Sequence, residues 1–202
     1  MLRSAVVTPR RSTARPRRGR PEDTRDRLIA AAAEVFNKSG YRGTDSNRLA
    51  RAAGYAPATF YKHFPDKRAI FLAAYEAWVT AEWEAVESIV RARGERTLLA
   101  ERLVDSTLAR PRRWRGLRAS LRALVAEDAT ARAFYRRQRR RQLRLLARLT
   151  SRDGRPRAEH AVLLYTLERV CDALADGELA DLGLTVDEVT RLLRERVLEH
   201  IP

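Results

Sequence analysis

From Pro21 onward the apolar and polar positions are patterned for helices. Leu28, Ala31, Ala32, Val35 and Phe36 recur at i, i+3, i+4, i+7 and i+8, which gathers them on one side of an α-helix. Pro21 suits a first helical turn, Glu22 and Asp23 complement the positive end of the dipole, and Gly40 marks the stop. A short second helix carries Leu49, Ala50 and Ala53, with Thr44 as its expected N-cap and Gly54 as its end. Pro57 opens a third short helix through about His63. Phe64-Pro65-Asp66 closes it and caps a long fourth that runs to about Arg93.

The rest of the chain is punctuated in the same way. A helix from Thr97 to Arg110 is expected to stop at Pro111, and Trp114, Leu117, Leu121, Leu124 and Val125 stripe the next. Asp128 caps another that extends to about Thr150. Residues 152–156 break the pattern, Ala158 to Ala175 resume it, and Thr185-Val186-Asp187-Glu188 is a capping box that opens the last helix. No segment alternates with period two. The expectation is an all-α fold of about nine helices: an N-terminal three-helix unit over 21–66 and a helical unit over 67–202, preceded by an arm over 1–20.

Composition narrows the partners. Lys and Arg number 41 against 26 Asp and Glu, a formal charge of +15 over 202 residues, which favours a polyanion. Residues 1–20 hold seven arginines, two prolines and no acid, the composition of a disordered arm. Arg18-Gly19-Arg20-Pro21 resembles the core of an AT-hook, which lays arginines in a narrow minor groove; a generic basic tail has the same composition. Cys171 is the single cysteine, and His63, His160 and His200 are far apart. No disulfide, metal site or cofactor is therefore expected. No apolar run approaches the roughly 18–20 residues of a membrane helix, and Met1 to Arg20 lacks a signal sequence's apolar region, so a cytoplasmic protein is expected.

Residues 44–64 read TDSNRLARAAGYAPATFYKHF: two short helices joined at Gly54, the helix-turn-helix arrangement. Small Ala50, Ala52 and Ala53 permit close approach, and Leu49 and Phe60 fill the space against the first helix. With Phe36 to Thr44 before it and Pro65-Asp66-Lys67 after it, the segment resembles the DNA-binding domain of the TetR family over about residues 22–82. The matching elements are F-x-x-x-G-Y-x-G-T, L-A-x-x-A-G and T-F-Y-x-H-F-x-x-K.

The resemblance implies a third helix in the major groove of double-stranded DNA. It assigns phosphates to Thr44, Tyr61, His63 and Lys67, and places Pro57, Ala58, Thr59 and Lys62 at or beside the bases; Arg18 and Arg20 are the arm's candidates. Packing or helix closure is the alternative for Tyr61 and His63. Three positions depart from the family pattern. Ala56 lacks the hydroxyl that usually caps the recognition helix, Asp45 stands where a hydroxyl is common and its charge would repel phosphate, and Ser46 replaces a packing residue.

For the remainder the resemblance implies a ligand-responsive homodimeric repressor with a palindromic operator and an effector cavity. Val162, Leu163, Leu164, Tyr165, Leu167, Val170, Cys171 and Leu174 make the helix over 158–175 apolar nearly all round. Such a helix is covered on both sides, by its own core and by a partner subunit through helices about 158–175 and 185–199, unless it is the central helix of a monomer. Trp83, Trp114, Phe134, Tyr135 and Tyr165 are candidate effector contacts, with core packing as the alternative. Arg132, Arg136, Arg137, Arg139, Arg140, Arg141 and Arg144 form either a mostly solvated face or a site for an anionic effector. No nucleophile elbow, phosphate loop or carboxylate pair suggests an enzyme. The alternative function is a ligand-independent architectural nucleic-acid binder.

Overall fold

The computed structural model describes residues 21–92, 94–150 and 154–201, with the backbone alone at 109–113. The arm over 1–20, including Arg18 and Arg20, lies outside the described residues. The elements are α1 (Pro21–Ser39), α2 (Ser46–Ala52), α3 (Pro57–His63), α4 (Lys67–Arg91), α5 (Arg96–Arg113), α6 (Arg115–Glu127), α7 (Ala129–Thr150), α8 (Ala158–Asp176), α9 (Glu178–Asp181) and α10 (Val186–Leu198). The described chain is therefore all-α, with ten helices where about nine were expected. The addition is α9, a single turn too short for periodicity to reveal.

Side-chain caps set several boundaries. Asp66 Oδ1 accepts from the Ala69 amide at 2.7 Å, and Asp128 Oδ1 from the Ala131 amide at 2.7 Å. Thr185 and Glu188 close the expected capping box, the Glu188 amide donating to Thr185 Oγ1 and the Thr185 amide to Glu188 Oε2. Two expectations are corrected. The cap of α2 is Asp45 rather than Thr44, its Oδ1 accepting from the Arg48 amide at 2.8 Å. The chain turns one residue later than Thr44, so the hydroxyl is out of reach and the carboxylate takes its place.

Pro111 does not stop α5, which continues to Arg113. It falls in the last turn, where the absent N–H removes one late bond, that to the Thr107 carbonyl. The Cys171 thiol of α8 approaches that carbonyl at 3.9 Å.

Two apolar cores build the molecule. The first joins Leu28, Phe36, Leu49, Phe60 and Phe64 to Ile70, Phe71, Tyr75, Leu117, Leu121 and Phe134, so it runs across residue 66. Phe71 meets Phe36 edge-on at 5.0 Å and Tyr41 at 5.1 Å, arrangements that aromatic quadrupoles favour. The second core unites Leu99, Ala100 and Val104 of α5 with Leu163 of α8 and Leu193, Val197 and Ile201 at the C-terminal end.

The start of α6 is capped by another helix. Asn37 Oδ1 of α1 accepts from the amides of Gly116 at 3.0 Å and Leu117 at 3.2 Å, satisfying two of the donors that a helix start leaves open. A glycine is required for the approach, because a β-carbon at 116 would lie 1.8 Å from the Asn37 carbonyl oxygen. The Gly116→Ala variant is expected to lose about 1–3 kcal/mol, the usual cost of overpacking, which thermal denaturation measures. An unchanged melting temperature would show that the two helices separate freely.

Candidate nucleic-acid interface and effector cavity

The turn between α2 and α3 is held by its own backbone. The Tyr55 amide donates to the Ala50 carbonyl at 2.9 Å and the Gly54 amide to Arg51 at 3.0 Å. This pair of bonds needs a left-handed residue between them, and Gly54 supplies it at φ +78°. Across the turn α3 is divided by helical spacing. Phe60 and Phe64 are buried in the first core, whereas Ala58, Tyr61 and Lys62 share the exposed side, with Tyr61 56% exposed. Pro57, Thr59 and His63 are half-buried at its margins. Ala56 makes no side-chain cap, as its methyl dictates.

Thr44 is buried, and its Oγ1 is sealed among protein atoms without a hydrogen-bond partner. The backbone around it is fixed by Lys67, whose Nζ donates to the carbonyls of Tyr41 and Thr44, each at 3.0 Å, and lies 4.3 Å from the Tyr41 ring centre. Lys67 thus laces the segment before α2 to the start of α4, a role that its position in the motif did not reveal. Arg48 adds a second tie, donating to the Gly43 carbonyl at 2.9 Å and to Ser39 Oγ at 3.0 Å. Asp45 is exposed and its pKa is lowered, chiefly by the Arg48 amide. Its charge serves the helix start. Arg25 of α1 lies 5.2 Å from the ring centre of Phe64, so the beginning of α1 sits beside the end of α3.

The reader is bonded to the helices behind it. The Tyr41 amide donates to Ser120 Oγ at 3.0 Å, Arg42 pairs with Glu127 at 2.5 Å, and Arg68 with Asp128 at 2.8 Å. Ser120, Glu127 and Asp128 belong to α6 or its end. Arg118 on the same helix reaches a cavity of about 540 Å³.

This cavity occupies the seam between the two cores. Trp78, Trp83, Val86 and Val90 wall it from α4, Leu99 and Leu103 from α5, Leu146 and Leu149 from α7, Leu163, Leu164 and Leu167 from α8, and Val197 and Ile201 from the C-terminal end. Polar wall groups include Glu82, Thr107, Arg118, Gln142, Glu168, Cys171 and His200. Burial pushes the Cys171 thiol up to about 12, which keeps it neutral and unreactive.

Of the five aromatic candidates, the cavity takes only Trp83. Trp114 borders a separate groove between α1 and α4, Phe134 is buried in the first core 6.2 Å from Tyr75, Tyr135 packs against that core, and Tyr165 is 48% exposed on α8. Sequence spacing identifies large residues on these helices but not which face meets the cavity.

The arginine run divides. Arg136, Arg137, Arg140, Arg141 and Arg144 are exposed, but Arg139 is buried, donating to Glu168 Oε1 at 2.5 Å and to Gln142 Oε1 at 2.9 Å. Burial pulls its pKa down, but Glu168 outweighs that and the net shift is upward. Tyr135 and Tyr165 flank the guanidinium at 4.6 and 5.4 Å. None of the seven arginines borders the cavity, so they do not form an anion site there.

An exposed helix presented by a bonded turn, above a helical body with its own cavity, defines the helix-turn-helix regulator class. Residues 28–74 match the family described as bacterial regulatory proteins, tetR family. The chain is 39% identical over 77 residues to the HTH-type transcriptional regulator TcmR of Streptomyces glaucescens, a match covering 38% of this chain and 33% of that protein. It thus spans about a third of that relative's length. A transcriptional regulator from Saccharomonospora viridis in complex with choline superimposes with a TM-score of 0.68 at 21% identity, covering 89% of this chain and 98% of the other. The transcriptional regulator FadR of Bacillus subtilis in complex with stearoyl-CoA gives 0.64 at 15% identity over 88% and 99%. The family match thus rests on the helix-turn-helix domain, residues 28–74, and the solved structures share the fold of the whole.

Proposed function

We propose that the protein is a ligand-responsive, homodimeric transcriptional repressor that binds a palindromic operator. The observation that carries the reading is the exposed side of α3, with Ala58, Tyr61 and Lys62 outward while Phe60 and Phe64 anchor the opposite side. In this reading Ala58 and Thr59 meet thymine methyl groups, Lys62 reaches a guanine or a phosphate, and Tyr61 and His63 hold phosphates. The expected phosphate contact of Thr44 is dropped, because its hydroxyl is sealed inside the protein. Pro57 sets the close approach of the helix start. Lys67 contributes a phosphate contact with the proton its two carbonyl bonds leave available. Arg18 and Arg20 are assigned the adjacent minor groove on the strength of their AT-hook-like sequence.

Homodimerisation is supported by the apolar groups left open on the last helices. Val162 is 65% exposed, Leu192 55%, and Tyr165, Leu182, Leu184 and Val186 are also open. A twofold axis would cover the same patch on both subunits and set two readers roughly 34–36 Å apart, or a multiple of it. A small-molecule effector is supported by the cavity, whose volume lies in the range of ligand sites. An architectural binder has no use for such a space. No described helix is long and apolar enough to cross a membrane. The proposed action on DNA is what assigns the protein to the cytoplasm.

Selection of bound DNA from a random pool tests the reading, and a palindromic consensus is expected. Tyr61→Ala should then weaken binding to that consensus about tenfold while leaving helicity and mass unchanged, the loss of roughly one charge-assisted bond. Equal affinity for all sequences in the pool would overturn the proposal in favour of a nonspecific binder.

A further inference from the structure

We infer that the cavity selects an uncharged amphiphile, an apolar body carrying a hydroxyl or amide, and rejects carboxylates. The inference rests on reading the cavity as an effector site. Its charged wall groups, Glu82 included, are already engaged. Arg118 bonds Asp172 Oδ1 at 2.5 Å and approaches the Glu168 carbonyl at 3.5 Å, and Glu168 is held by Arg139 at 2.5 Å. Arg118 is the only Lys or Arg on the described wall, against two carboxylates, Glu82 and Glu168. A ligand carboxylate would have to take Arg118 from Asp172 while facing Glu168. A buried charge without a partner is costly, so an anion is disfavoured.

The remaining polar capacity suits a neutral group. Gln142 is buried and lines the cavity, and its Oε1 accepts from Arg139. That bond fixes the amide with Nε2, which donates to no described residue, as a donor for the space. Thr107 offers the converse. Pro111 has no N–H for its carbonyl, and the Cys171 thiol at 3.9 Å is a weak donor. A hydroxyl or amide can serve both kinds of group, whereas a carboxylate only accepts and a quaternary ammonium does neither. Thr107, Gln142 and Cys171 come from α5, α7 and α8, whereas Val86 and Val90 of α4 and Val197 and Ile201 at the C-terminal end add aliphatic wall, so polar head and apolar tail each have a place.

The test compares 1-decanol, decanoate and decyltrimethylammonium as ligands of the full-length protein, followed by calorimetry and by the fluorescence of Trp78 and Trp83 in the wall. 1-Decanol is expected to bind about tenfold or more tightly than either ion, by loss of roughly one buried polar contact or charge pair. The Gln142→Met variant, checked for an unchanged helical spectrum, should lose most of that preference. Equal or tighter binding of either ion, or an unchanged preference in Gln142→Met, overturns the inference and leaves the effector cavity standing. If none of the three binds or shifts the fluorescence, the effector reading of the cavity fails with it.

Discussion

Replacing Phe36 with alanine is expected to cost about 3–5 kcal/mol and to abolish specific DNA binding at 37 °C. The ring is fully buried in the first core, edge-on to Phe71 at 5.0 Å and stacked with Tyr41 at 6.0 Å. Its loss leaves a cavity below the two short helices that carry the reader. Helices of seven residues are unstable alone, so α2 and α3 keep their relative position only while α1 braces them. Denaturant unfolding reads the stability, and operator titration reads the consequence. A loss below 1 kcal/mol with intact binding would mean that the core repacks around the gap.

The second large effect concerns assembly. A Val162→Glu, Leu192→Glu double variant is expected to sediment as a monomer and to lose about 10²–10⁴-fold in operator affinity. Both side chains are more than half exposed in the single chain, so glutamate costs the isolated subunit little. Across a twofold interface the same carboxylates would be buried in pairs of like charge. The affinity falls because two linked half-site contacts become independent ones. Retention of the dimer would place the interface elsewhere.

Much of this architecture was legible in the residues because its signals are local. Asp66, Asp128 and the Thr185–Glu188 pair act within one turn of their own helices, so their caps could be read from spacing alone. The helix-turn-helix was legible for the same reason, its glycine turn and apolar stripe falling within 30 residues. Other features depend on distant partners. Whether Thr44 or Asp45 caps α2 depends on where the chain turns, and Lys67 sets that through bonds across 23 and 26 residues. Arg139 looks like one more surface arginine until Glu168, 29 residues away, comes beside it. The cavity wall draws on several helices, so no single stretch announces it; spacing singled out Trp83, which lines the wall, but not Gln142 or Arg118.

The Asn37 cap on α6 bears on how far the parts of this protein are autonomous. A fragment ending near residue 66 would expose the apolar face that α1 turns toward Leu117 and Leu121. A fragment beginning there would leave the first amides of α6 without their acceptor. Neither half is therefore expected to fold by itself. The reader and the body should melt together in one transition, and stress applied to either is shared by both.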